Sequence, residues 1–108
     1  MNDASLGRDS FASDFASSCD FARLTLASRF AASRIVVSLP CLTSDPAVNA
    51  RIAVADRQLR AMASAAGFGL ISDDNVRISD LTDVVHLSAA GTARLYNNVL
   101  NYLRADAA

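Results

Sequence analysis

Tryptophan, lysine and glutamate are missing from this chain of 108 residues. All ten cations are Arg and all eleven anions are Asp, which reads as a coding bias and not as a functional signal. The formal net charge of −1 and the lack of any basic run speak against a nucleic-acid binder and against an anionic-membrane binder. No apolar run approaches the roughly 20 residues of a membrane span; the longest, Ile35–Leu39, is strand-sized. Cysteine is scarce. Cys19 and Cys41 have neither metal-ligand spacing nor a disulfide-rich setting, which fits a reducing compartment. The polar start Met1-Asn2-Asp3-Ala4-Ser5 does not read as a signal peptide, so a cytoplasmic location is expected. With no linker and no internal repeat, residues 1–108 read as one small domain.

Hydrophobic residues make up 52% of the chain, but many are Ala, so the core must rest on a modest set of Phe, Leu, Ile and Val. Phe11, Phe15, Cys19, Ala22, Leu26 and Phe30 recur at three- and four-residue steps behind the N-cap Ser10, which predicts an amphipathic helix over about 11–30. Ile35–Leu39 is short, β-branched and without polar alternation, which predicts a strand buried on both faces. Asp45-Pro46 starts a second helix with the stripe Ile52, Ala55, Leu59, Met62 and Ala66, and Gly67 closes it. Asp56 and Arg60 fall on its outer side at i,i+4 spacing. Phe68–Ile71 is a second short strand. A polar loop over 72–87 leads to Ser88, which caps a last helix bearing Leu95, Val99, Tyr102 and Leu103. Two strands linked by a helix make a parallel βαβ unit, so the expected fold is α/β with about two parallel strands and three helices. So small a sheet leaves 35–39 short of neighbours, which hints at partner strands from elsewhere.

The chemistry concentrates in Asp83-Val84-Val85-His86-Leu87-Ser88-Ala89-Ala90-Gly91, which holds the one histidine. An Asp three residues before a His, on a loop ahead of a helix, can curl back so that its carboxylate accepts the imidazole N–H. That fixes the tautomer and stabilises the imidazolium when the other nitrogen takes a proton. A lone His in such a place is more often structural, and spacing alone leaves both readings open.

Asp-x-x-His-Leu-Ser-x-x-Gly followed by an amphipathic helix resembles the last block of the SGNH (GDSL-type) hydrolases. Arg34–Pro40, Asn49 early in a helix and Phe68–Ile71 stand where that family has a strand, a helix and a short strand. Asn2-Asp3 is similar to the end of the family's Gly-x-Asn-Asp motif, without its Gly. The resemblance covers nearly the whole chain and matches the C-terminal half of the family's domain. It implies a partial three-layer, flavodoxin-like fold and hydrolysis of carboxylic esters through an acyl-serine. It also implies His86 as general base, Asp83 as its orienter and Asn2 as an oxyanion donor, with no cofactor and no metal. The partner implied is a small-molecule ester.

The family's Gly-Asp-Ser nucleophile follows an apolar first strand and precedes the Asn-Asp motif, so it is expected ahead of Met1. Residues 1–108 then form a truncated domain that is inactive alone. Gly7-Arg8-Asp9-Ser10 looks superficially like the nucleophile motif but has an inserted Arg and no strand before it, and Ser10 reads as an N-cap. A second reading is a non-catalytic interaction module, with self-association through strand 35–39. A third is an esterase with an unusual nucleophile, Ser10 or Cys41. Asp73-Asp74 reads as a solvated turn and not as a metal site.

Overall fold

The computed structural model describes residues 11–84 and 86–107. Asn2 and Ser10 lie outside them. Within them the chain forms helix α1 (Phe11–Ala27), strand β1 (Val36–Ser38), helix α2 (Pro46–Ala66), strand β2 (Gly69–Ile71) and helix α3 (Ala89–Ala107). Two short 3₁₀ turns, Ala32–Arg34 and Ile78–Asp80, precede β1 and α3. The strands are parallel, with Val36 opposite Gly69, Val37 opposite Leu70 and Ser38 opposite Ile71. The α/β class, the two parallel strands and the three helices are those expected from sequence. No described helix is long and apolar enough to cross a membrane.

Local chemistry sets the element ends. Asp45 accepts from the Ala47 N–H at 2.9 Å and Pro46 occupies the first turn of α2. The helix closes at Gly67, which adopts φ 74° and returns its N–H to the Ala63 carbonyl. Ser88 Oγ accepts from the Gly91 N–H at 3.1 Å, capping α3. Asp56 and Arg60 form the i,i+4 pair at 3.0 Å, partly in solvent and so of small energetic consequence.

α2 is the centre of the molecule. Its Val48, Ile52 and Ala55 pack with Phe11 and Phe15 of α1, whose rings stack at 5.6 Å. Further along, Ala63, Met62 and Ala66 pack with Ile35, Val37, Phe68 and Leu70. Side chains alternate along a strand, so Val37 and Leu70 face α2, while Val36, Ser38, Gly69 and Ile71 face the other way. On that second face α3 packs against β2, and the Tyr102 side chain lies over Gly69, where a Cβ would meet the phenol.

Two expectations are corrected here. α1 stops at Ala27, not near Phe30; Phe30 sits past a turn and is 54% exposed, and Ala22 and Leu26 are exposed as well. Of the stripe, Phe11 and Cys19 are buried and Phe15 is half-buried. The strand at 35–39 is not buried on both faces either. Ile35 and Leu39 are buried, yet Val36 is 39% exposed, because α3 covers β2 and leaves β1 open on that side.

Candidate functional site

The loop between β2 and α3 is built from the inside out. Asp80 is buried, and its carboxylate accepts from the Arg77 N–H at 2.9 Å and meets Arg94 Nε at 3.4 Å. Gly91 rests against it: a Cβ there would come within 2.6 Å of the Asp80 carbonyl oxygen. The first turn of α3 can therefore sit on the 3₁₀ turn, and the Ser88 N–H donates to the same carbonyl at 2.6 Å. Leu81 and Leu87, both half-buried, pair as an antiparallel bridge and close a tight loop between them.

Asp83 and His86 stand at the tip of that loop. The His86 carbonyl accepts from the Thr82 N–H at 2.8 Å, and the His86 N–H donates to Asp83 Oδ1 at 2.8 Å. The Ser44 N–H donates to the Val84 carbonyl at 3.0 Å, tying the loop to the segment after β1. With the backbone held at both ends, the carboxylate reaches the ring. His86 Nδ1 lies 2.8 Å from Asp83 Oδ2 and 3.0 Å from Oδ1. Beside an ionised carboxylate Nδ1 carries the proton, which leaves the lone pair on Nε2. Nε2 has no hydrogen-bond partner among the described residues, and the His86 side chain is 75% exposed. Such an imidazole can take a proton from a hydroxyl or a water, with Asp83 stabilising the cation that forms. In solvent the pair itself adds little to stability.

Around the segment after β1 lies a different kind of construction. Thr43 is buried; its N–H donates to Asn49 Oδ1 at 2.7 Å and its hydroxyl donates to the same atom at 3.0 Å. Asn49 Nδ2 returns a bond to the Thr43 carbonyl at 2.7 Å. Asn49 thus braces the loop that receives Ser44 and the His86 loop behind it. A six-residue spacing matches no helical or strand period, which is why the sequence pattern did not disclose the brace.

Cys41 is not brought to His86. It lines a cavity of about 220 Å³ with Pro40, Leu42, Ile52, Asp56, Asp73 and Val76, and His86 is not part of that wall. Burial pushes the Cys41 thiol up from its ordinary range, and nearby Asp73 adds to the rise. A nucleophilic thiol needs the opposite. Cys19, buried on α1, is raised by burial and then by Asp20.

Asp73 is also unlike its expectation. It is 5% exposed, accepting from Asn98 Nδ2 at 2.9 Å and from Ser38 Oγ at 3.4 Å, while Asn98 exchanges amide bonds with Asn75. The solvated turn holds for Asp74 alone, whose side chain is 86% exposed. Asp73 was hard to read because its partners lie 35 residues before it and 25 after it. Among the described residues no group of three or more His, Cys or Asp could hold a metal ion.

No family model, curated protein or solved structure matches the chain.

Proposed function

We propose that this chain carries the general base and orienting carboxylate of an SGNH-type serine esterase, and that it belongs to the C-terminal half of such a domain. The observation that supports this is the Asp83–His86 contact, made by a loop whose backbone is tied on both sides while the imidazole is exposed. His86 takes the proton of a serine hydroxyl as the hydroxyl attacks the ester carbonyl, then returns it to the departing alcohol. Asp83 keeps the ring in the productive tautomer. Asn2 is the proposed oxyanion donor, and the nucleophile belongs to a Gly-Asp-Ser segment ahead of it in the full reading frame.

The test compares two proteins: residues 1–108, and the same chain extended by its in-frame upstream sequence. Both are assayed with short-chain p-nitrophenyl esters and with a fluorophosphonate probe that labels active serines. The extended protein should be labelled and turn over ester. His86→Ala should abolish both, and Asp83→Asn should lower kcat by about 10⁴. The 108-residue chain should take no label. Labelling of the extended protein that survives His86→Ala would sink the proposal, as would the lack of any serine nucleophile upstream.

A second reading, a non-catalytic interaction module, is supported by the free outer edge of β1 beside an exposed Val36. A 108-residue chain that forms a defined complex, with unchanged affinity in His86→Ala, would favour it.

A further inference from the structure

The outer edge of β1 has a definite chemistry. The Gly69 N–H donates to the Ile35 carbonyl, and the Leu39 N–H donates to the Ile71 carbonyl, both at 2.9 Å. Odd-numbered residues of β1 therefore turn their backbone groups to β2. Val36 and Ser38 turn theirs outward, and no described residue meets them. The free edge thus offers two N–H and C=O sets, one on either side of Val37.

The helix behind the sheet matches that edge. α3 runs opposite to the strands: Asn98 lies beside Asp73, past the carboxyl end of β2, and Tyr102 lies beside Gly69 at its start. Gly91, Leu95, Asn98 and Tyr102 share its inward stripe. Tyr96, Val99 and Leu103 lie on one flank, all exposed; Arg94, Asn97, Asn101 and Arg104 lie on the other. Parallel βαβ units cross over right-handed. With α2 in front and β2 to the right, a right-handed helix descending behind β2 turns its Tyr96–Val99–Leu103 flank toward β1, above the uncovered Val36.

We propose that the chain forms a two-fold dimer in which β1 pairs antiparallel with β1 of a second copy, the axis passing through Val37. Val36 then faces Ser38 of the second copy and each such pair exchanges both hydrogen bonds, so every outward group of the edge is satisfied. The result is a four-stranded sheet, β2-β1-β1-β2. Its two α3 helices lie over strands about 14 Å apart, a gap that facing Tyr96, Val99 and Leu103 side chains span above the Val36 residues. Arg34 of one copy comes opposite Pro40 of the other, at the sheet end where the exposed Asp74 carboxylate lies. Tyr96, Leu103, Val99 and Val36, with their flanking strand residues, cover roughly 1,000 Å² in total, the lower bound for a specific dimer. The other edge of the sheet offers Leu70 alone and lies beside the polar flank of α3.

This proposal concerns the 108-residue chain by itself, since upstream strands of a completed esterase domain would compete for the same edge, and it is tested on that chain. Light scattering coupled to size exclusion should give twice the monomer mass at high concentration, with dissociation on dilution. Hydrogen exchange on the unmodified protein should show the Val36 and Ser38 amides protected in the dimer and released in the monomer. Val36→Lys and, separately, Leu103→Lys should each weaken the dimer by about 100-fold, and both should keep the helical circular dichroism and cooperative melting of the parent. Ser38→Pro removes an outward N–H and should act alike. A monomer at every concentration overturns the proposal and leaves the edge to another strand. So does a dimer in which the Val36 and Ser38 amides exchange freely or which all three substitutions leave intact.

Discussion

Two short clasps, six and three residues wide, organise the two loops at the carboxyl ends of the strands. In the first, Asn49 grips Thr43; in the second, Asp83 grips His86. Both use a side chain to hold a neighbouring backbone N–H at 2.7–2.8 Å. They differ in burial. Thr43 is 4% exposed, so its polar groups have no water to fall back on, and the clasp carries stability. The side chains of Asp83 and His86 are 55% and 75% exposed, so water can replace their bond and the clasp carries orientation instead. The same local geometry is a structural brace in one place and a chemically accessible pair in the other.

The sharpest way to break this contrast is to cut the buried clasp. Asn49→Ala strands the Thr43 N–H and carbonyl, while the hydroxyl keeps its bonds to the Asp45 backbone, and should destabilise the chain by about 2–3 kcal/mol in urea unfolding. Asp80→Ala, which frees the Arg77 N–H and Arg94 beneath the His86 loop, should cost about 1–2 kcal/mol by the same measurement. The exposed clasp should respond in the opposite manner. Asp83→Ala should change stability by no more than about 0.5 kcal/mol, while nitrogen-detected NMR of His86 should show the Nδ1–H tautomer giving way to a mixture. A loss of more than about 2 kcal/mol in Asp83→Ala would erase the distinction between the clasps.

A weaker effect comes from the thiols. Both Cys19 and Cys41 are held above the ordinary value of 9.0. Above pH 9 the unfolded thiols ionise while the folded ones stay protonated, so unfolding releases protons there. Their contribution is fully present below that pH and is lost as pH rises through the folded values. Melting temperature should fall above pH 9, and a Cys19→Ala, Cys41→Ala double variant should fall less steeply.

Where the sequence was legible, a single residue type forced the outcome. Asp45-Pro46 and Gly67 bound α2 because each end needs a particular donor or dihedral, and Ser88 caps α3 for the same reason. The Asp83–His86 contact was legible because three residues of loop suffice to close it. Illegible features depended on what lies across the chain. Periodicity carried α1 to Phe30, but the helix ends at Ala27, and Phe21 and Leu24 in its second half are left exposed at 74% and 60%. The apolar run at 35–39 announced burial on two faces, yet α2 packs on one face of β1 and Val36 on the other stays open. Asp73 needed Ser38 and Asn98 beside it to be recognised as buried.

The close fit of Tyr102 over Gly69 ties two distant positions into one evolutionary unit. A side chain at 69 meets the phenol and must push it aside, so drift there is easier once position 102 has become smaller. A smaller residue at 102 in turn opens a hole that a side chain at 69 could fill. Among diverging copies of this chain, Gly with an aromatic should exchange for a larger residue with a small one, and the mixed combinations should be rare.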